Sequence, residues 1–166
     1  TGQAVFTDDI CRPGQLYGAL LQSPHAHARI ISIDTSKAKA LPGVKSVITH
    51  EQAGHIKYGV SPARYDETVF AIDKVRYIGD EIAAVAAVSL DIALKAVELI
   101  EVEYELLPAV FTVEDAMREG APQLHENSPG NLCAEVHQEF GDVAAALKQC
   151  DIIKTSTMKN KRQDGA

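Results

Sequence analysis

The chain has 166 residues, of which 46% are hydrophobic and 23% are charged, and its formal net charge is −7 at pH 7. This size and composition are typical of one ordinary globular domain. The negative charge argues against a nucleic-acid partner, because phosphate binding requires clustered Lys and Arg side chains. Polar residues interrupt the longest apolar stretch, residues 82–100, so no membrane span is predicted.

The first residues, Thr1-Gly2-Gln3, lack the basic and apolar regions of a secretory signal. They also lack an initiator Met, so the chain is expected to begin inside a longer protein or to have been processed. The three cysteines, Cys11, Cys133 and Cys150, are widely spaced, which argues against a disulfide framework or a metal clamp. This cysteine usage predicts a reducing, cytoplasmic location.

Apolar and β-branched runs in the first half of the chain predict strands over residues 16–21, 28–34 and 44–48. Thr35 and Ser36 are suited to capping a short helix, which Pro42-Gly43 ends. Thr49 and Gln52 have the spacing of a capping box, so another short helix is expected to begin there.

The middle of the chain predicts a compact strand, turn, strand, helix and strand. Loss of pattern predicts an exposed loop over residues 57–68. Two strands, 75–77 and 81–88, then follow on either side of a turn at Gly79-Asp80, where glycine allows a positive φ. Residues 101–107 alternate Glu with apolar side chains, which is the period of a half-buried strand.

The intervening helix, residues 89–100, is amphipathic, and Ser89 is its expected N-cap. Its polar stripe consists of Asp91, Lys95 and Glu98. The side chains expected to pack on a sheet are Leu90, Ala93, Leu94, Val97 and Ile100.

The last third of the chain predicts a short helix from the capping-box pair Thr112 and Asp115, ended by Gly120. The further elements expected are a loop at 121–131, a strand at 132–140, a helix from Asp142 through Gln149, a strand at 152–158 and a disordered tail at 158–166. This order of elements predicts an α+β domain with a mixed sheet and packed helices.

Two histidine pairs are candidates for metal binding. The zinc-protease motif needs histidines four residues apart on a helix, whereas His50 and His55 are five apart, which turns the second ring by about 140°. His25 and His27 would share one face of a strand and could hold a metal with a third ligand. No third ligand is evident, so the favoured interpretation is a turn and strand start after Pro24.

Neighbouring carboxylates offer no convincing acid–base pair. Glu101, Glu103 and Glu105 are better explained as the solvated face of a strand. The pairs Asp8-Asp9 and Asp80-Glu81 point their side chains apart in extended chain. The arginines that could bind an anion are ungrouped: Arg29, Arg64 and Arg76. Glycine-rich phosphate loops and a nucleophile elbow are absent from the sequence, so no catalytic, cofactor-binding or metal-binding residue is predicted.

Several segments, in order along residues 1–157, resemble the α/β-hammerhead domain that opens the large, molybdenum-containing subunit of the xanthine dehydrogenase and aldehyde oxidase family. They lie at residues 1–10, 23–30, 42–44, 73–80, 102–110 and 140–143, and residues 73–80 read Asp-Lys-Val-Arg-Tyr-Ile-Gly-Asp. The resemblance implies a hammerhead domain over residues 1–157. Within the family, residues 58–60 and 135–146 are most similar to 4-hydroxybenzoyl-CoA reductase.

The resemblance implies a scaffolding part of a molybdopterin-dependent oxidoreductase that has no active site of its own. In such enzymes a pterin dithiolene holds the molybdenum, and the residues that bind cofactor and substrate lie in later domains. The chain is therefore expected to be inactive alone. Molybdopterin-bound molybdenum would belong to the full-length subunit, and 2Fe-2S and FAD to partner subunits or domains.

Expected partners are the remaining molybdenum-binding domains and the iron–sulfur and flavin subunits. Apolar surface that these neighbours cover would promote self-association of the chain alone, most simply as a homodimer. The loop 57–68 and the strand 152–158 are the expected surfaces. The alternative function is a stand-alone binding or assembly module that reuses the fold.

Overall fold

The computed structural model describes residues 2–59 and 65–158, which form two units that divide between Cys133 and Ala134. The strands of the first unit are β1 Tyr17–Gln22, β2 Ala28–Asp34, β3 Val44–Thr49, β4 Lys74–Val75, β5 Glu81–Ala87 and β6 Glu101–Leu106. Its α-helices are α1 Ser36–Ala40, α2 His50–Ala53, α3 Leu90–Glu98 and α4 Val113–Ala116, with 3-10 turns at Thr7–Asp9 and Pro129–Asn131. The second unit contains α5 Val143–Lys148. The predicted α+β class is confirmed.

The six strands divide between two three-stranded sheets, which the sequence did not reveal. The first sheet has the order β1-β5-β3 and the second has the order β4-β2-β6, with every pairing antiparallel. Odd-numbered strands therefore lie in one sheet and even-numbered strands in the other. The chain changes sheets at each successive strand.

The turn at Gly79-Asp80 joins these two sheets. Its flanking strands, β4 and β5, do not pair with each other, and β4 is shorter than predicted because it ends at Val75. Gly79 has a φ of 98°, in the positive range that the predicted turn requires. The Gly79 amide donates to the Ser23 carbonyl, and the Ser23 amide donates to the Asp80 carbonyl, both at 2.9 Å. The turn is thereby fixed to the end of β1.

Local capping bonds start most of the helices where the sequence predicted. Thr49 and Gln52 form the capping box of α2, and Ser89 accepts from the Ile92 amide at 3.4 Å. At α1, however, Thr35 makes no side-chain cap, because Asp34 accepts the Ser36 amide instead at 2.8 Å. The predicted end of α4 at Gly120 is wrong, since the helix ends at Ala116.

Helix α3 packs on the first sheet through small side chains. Ala93 and Ala96 are fully buried, as are the sheet residues Ala83, Val85 and Ala87 beneath them. Leu90 and Leu94 remain about half exposed, so the expectation that they pack on the sheet is wrong. The buried stripe is rotated toward Ala96, which lets the helix approach the sheet closely.

A second core cluster lies between the two sheets and contains Ala28, Ala71, Val75 and Ile82. Leu21, Ile33 and Val102 pack against both clusters, so the two cores are continuous. Within the described residues, no helix is long and apolar enough to cross a membrane.

Two of the predicted strands are wrong. Residues 132–140 and residues 152–158 are irregular throughout, and both stretches are exposed. Apolar side chains are present in both segments, but a strand also requires a hydrogen-bonding neighbour, and neither segment pairs with another in the described chain. The intervening helix α5 is confirmed, with Asp142 accepting the Ala145 amide at 2.8 Å. Of the predicted tail, residues 159–166 lie outside the described residues, and the domain extent of 1–157 stays a prediction.

The predicted loop 57–68 is described except for residues 60–64. Tyr58 and Glu67 form an isolated antiparallel bridge, with their backbone amides and carbonyls bonded at 3.0 and 3.1 Å. The two ends of this loop are therefore held together.

Candidate functional site

Arg76 joins the second sheet to the loop at residues 121–131. Its Nε donates to the Leu124 carbonyl at 3.0 Å, and its Nη1 donates to the Lys74 carbonyl at 3.2 Å. Its Nη2 lies 3.5 Å from the Glu126 carboxylate and 3.6 Å from that of Asp73. Each of the three guanidinium nitrogens thus contacts a backbone carbonyl or a carboxylate of the same domain.

Glu126 is shared between Arg76 and Lys74. The Lys74 ammonium lies 2.6 Å from Glu126 Oε1, and the Lys74 side chain is only 12% exposed. The hydrogen bond from Lys74, followed by backbone bonding and the charges of Lys74 and Arg76, lowers the pKa of Glu126 to about 2. The carboxylate therefore remains ionised across the physiological range and neutralises two cations.

Asn131 organises the same loop, and sequence reasoning missed it. Its backbone has a φ of 57°, which asparagine tolerates better than most residues. Its side-chain amide donates to the carbonyls of Ala116 and Pro122 at 2.8 and 2.9 Å, and accepts the Leu124 amide at 2.9 Å. The available signal was the succession Pro129-Gly130-Asn131, a typical turn composition.

A cavity of about 370 Å³ lies beside this network. Its acidic and basic lining residues are Lys57, Asp66, Asp73, Arg76, His125 and Glu126. Burial, and then the charge of Arg76, lowers the pKa of His125 and favours the neutral ring. The carboxylates therefore balance or exceed the cations, which does not suit the phosphate of a pterin cofactor.

His25 and His27 have separate structural roles. They precede β2 in a bend rather than lying on a strand. His27 is buried, and its Nδ1 lies 2.6 Å from the carbonyl oxygen of Pro108, while its Nε2 makes no hydrogen bond with the described residues. The ring of His25 packs edge-on against Tyr104, with centroids 4.8 Å apart. The pair is not brought together as a metal site.

His50 and His55 lie at the start of α2 and just after it, with ring centroids 6.1 Å apart. Gly54 ends the helix between them with a φ of 80°. Among the described residues, no group of three His, Cys, Asp or Glu side chains is arranged to hold a metal ion.

The alternating glutamates of β6 form a ladder of surface contacts. Glu105 accepts from Arg29 Nε at 3.0 Å, Glu103 accepts from the Ser32 hydroxyl at 3.4 Å, and Glu101 pairs with Lys37. All three are exposed, which confirms the predicted solvated face.

The remaining acidic pairs and arginines also fit structural roles. Asp9 accepts the Phe6 amide at 2.9 Å, and Asp80 accepts the Arg76 amide at the same distance. Arg64 lies outside the described residues. Arg76 thus contacts the loop at residues 121–131, whereas Arg29 pairs with Glu105 on the exposed face of β6.

These elements define an α+β domain of two sheets and packed helices. Residues 1–108 match the family model for the aldehyde oxidase and xanthine dehydrogenase a/b hammerhead domain. The chain therefore belongs to this family. The hammerhead fold and the family resemblance predicted from sequence are confirmed, whereas the likeness to 4-hydroxybenzoyl-CoA reductase stays a prediction.

Two curated relatives are similar over most of the chain. It is 41% identical to the nicotinate dehydrogenase large molybdopterin subunit of Eubacterium barkeri, over 97% of this chain and 37% of the relative. It is 43% identical to the carbon monoxide dehydrogenase large chain of Afipia carboxidovorans, over 76% of this chain and 16% of the relative. The chain thus spans little more than a third of the first relative and less of the second.

A solved structure supports the same assignment. The aldehyde oxidoreductase of Desulfovibrio desulfuricans superposes with a TM-score of 0.71 and 31% identity, over 78% of this chain and 16% of that chain. The match again occupies a small part of a longer protein.

We expect Glu126→Gln to weaken the fold in a pH-dependent manner. Because the pKa of Glu126 in the fold, about 2, lies below its ordinary 4.5, the ionised form stabilises the fold above the ordinary pKa. This stabilisation is lost as the pH falls from about 4.5 through about 2. The Glu126 side chain is 66% exposed, so solvent screening limits the effect at pH 7 to about 1 kcal/mol or less.

The measurement is urea unfolding of both proteins between pH 7 and pH 2. Glu98→Gln is the matched control, since Glu98 is exposed on α3 and makes no ion pair within the described residues. A Glu126→Gln difference that stays constant over this range would contradict the role given to the carboxylate.

Proposed function

We propose that this chain is the scaffolding domain of a molybdopterin-dependent oxidoreductase large subunit and has no active site of its own. The main support is that its polar side chains bind other groups of the same domain. Arg76, Lys74 and Glu126 bind one another and the adjacent loop, and the glutamates of β6 bind neighbouring surface groups. Each of these groups therefore already has a partner within the domain.

The cofactors of the complete enzyme belong to other parts of it in this proposal. Molybdopterin-bound molybdenum would lie in the remainder of the large subunit, where it would supply the redox chemistry, and 2Fe-2S and FAD in partner subunits or domains. The names of the large molybdopterin subunit and the large chain among the relatives support this division. The three cysteines are free thiols, which supports the proposed cytoplasmic location.

The substrate is a separate hypothesis. Residues 135–146 and residues 58–60, of which residue 60 is not described, motivate a likeness to 4-hydroxybenzoyl-CoA reductase and hence an aromatic thioester substrate. Turnover of such a thioester by the full-length enzyme, compared with nicotinate and a simple aldehyde, would test it. Preference for either of the latter substrates would contradict it.

We expect the purified 166-residue chain to carry no stoichiometric molybdenum, iron or flavin, and the full-length large subunit to carry molybdenum. Elemental analysis and flavin absorbance of both proteins measure this. Stoichiometric molybdenum in the short chain would contradict the absence of a cofactor site. A full-length protein that lacks molybdenum when produced with its partner subunits would favour the alternative, a stand-alone binding or assembly module.

The proposal also includes self-association of the chain when it is separated from its neighbours, most simply as a homodimer. Exposed apolar side chains such as Val136, Phe140 and Ile152 support it, although residues 152–158 do not offer a strand edge. Sedimentation over a wide concentration range distinguishes a monomer from a dimer.

A further inference from the structure

One face of the first sheet is open. Side chains alternate along its strands, so Ala83, Val85 and Ala87 face α3 and the intervening residues face the other side. The open face, as we call it, consists of two cross-strand rows, Gly18–Ala86–Ser46 and Leu20–Ala84–Ile48. The small residues Ala84 and Ala86 lie at its centre on β5. Leu20 on β1 and Ile48 on β3 flank them.

The open face continues the core of the domain. Ile82 points to the same side of β5 and is fully buried, because the second core cluster covers it. Farther along the same side, Leu20 is 52% exposed and Ile48 is 37% exposed. Cβ atoms at Gly18 would meet no atom closer than 4.0 Å. An apolar surface with room above it thus extends from the covered core.

An acidic cavity of about 700 Å³ adjoins this face at Leu20, which lines both. Its aromatic walls include Phe70, Tyr58 and Tyr77. Four carboxylates line it, those of Asp66, Glu67, Asp80 and Glu81, together with the guanidinium of Arg76 and the ring of His125. Burial, and then the charges of Asp80 and Glu81, raises the pKa of Tyr77 to about 12, as expected in a negative field.

We propose that the open face and its acidic cavity dock an apolar segment with an adjacent Lys or Arg, supplied by the remainder of the large subunit. This inference rests on the proposed function. It identifies the surface through which the scaffolding domain would contact the rest of the large subunit. The relatives contain much more chain than this domain, since it spans 37% and 16% of two of them. The apolar rows would contact the apolar side chains, and the carboxylates would pair with the cation.

A second copy of this chain fits the cavity less well. The chain has a net charge of −7, so a partner copy brings a further excess of carboxylates toward a cavity that already has one. Charge complementarity therefore favours a basic segment over self-association at this surface.

The test is thiol accessibility in the full-length large subunit and in the 166-residue chain. Cys11, Cys133 and Cys150 are first replaced by Ser. Ser46→Cys and Leu20→Cys then report on the open face, and Lys95→Cys on the exposed polar stripe of α3 is the control. We expect thiols at positions 46 and 20 to react at least about tenfold more slowly in the full-length subunit, because reaction then requires local opening. The thiol at position 95 should react equally in both proteins.

Reversal of one carboxylate charge in the cavity tests whether the docked segment supplies a Lys or Arg. Glu67→Lys in the full-length subunit should restore fast labelling at position 46, whereas Glu98→Lys should not. Fast labelling of positions 46 and 20 in a full-length subunit that contains molybdenum would overturn this inference and leave the proposed function intact. Slow labelling in the short chain, with dimers in sedimentation, would identify a second copy as the occupant and also overturn it. A full-length protein without molybdenum would overturn the proposed function first.

Discussion

Gly43→Val is expected to destabilise the fold more than any other single change considered for this domain. Gly43 has a φ of 95°, which costs a β-branched residue about 1–3 kcal/mol. A Cβ atom there would also lie 2.8 Å from Ile92 Cδ1 and 3.1 Å from Val88 Cγ2, and such overpacking costs about 1–3 kcal/mol more. Urea unfolding should therefore show a loss of about 2–6 kcal/mol.

Gly79→Val is the matched control for this prediction. Gly79 has nearly the same φ, 98°, but a Cβ atom there would meet nothing within 4 Å. It should lose only the conformational part, about 1–3 kcal/mol. Equal losses in the two variants would show that the contact of Gly43 with α3 contributes nothing, and an unchanged Gly79→Val would contradict the turn geometry.

His27→Ala is expected to have the second largest effect, a loss of about 2–3 kcal/mol from the emptied ring volume and the lost hydrogen bond to Pro108. The ring is buried where β2 begins, and Leu107 also donates its amide to the His27 carbonyl at 3.0 Å. One residue therefore holds the end of β6 and the segment after it. Thermal and urea unfolding of the variant measure the loss.

His27→Asn separates the hydrogen bond from the packing. Its side-chain amide places an N–H donor close to the position of Nδ1 while still removing most of the ring. We expect it to retain about 0.5–1.5 kcal/mol of the stability that His27→Ala loses. Equal destabilisation by Ala and Asn would mean that the ring acts by packing alone.

Local hydrogen bonds are what the sequence predicted best. The capping residues of α2, α3 and α5 lie within three residues of the amides they bind, so the relevant pattern is contiguous. Strand β2 also has its predicted bounds, because its apolar run is distinct.

Predictions that depended on distant residues were less successful. Residues 132–140 and 152–158 have strand-like composition, but composition cannot supply a partner strand. The grouping of Arg76 with Glu126 was also invisible, since the two residues are far apart in sequence and the loop that joins them is held by Asn131. The family resemblance predicted the hammerhead fold correctly, whereas the periodicity of the sequence predicted only the α+β class.

The alternation of strands between the two sheets has a consequence for folding. Each sheet needs a long stretch of chain that also contains two strands of the other sheet, because β1 pairs Tyr17 with Ala87 while β2 pairs Ala28 with Leu106. A nascent chain must therefore be synthesised through β6 before the second sheet can close, and the high contact order favours slow, all-or-none folding. A break between β2 and β5 would interrupt the stretch of chain that each sheet requires, so both sheets depend on this segment remaining intact.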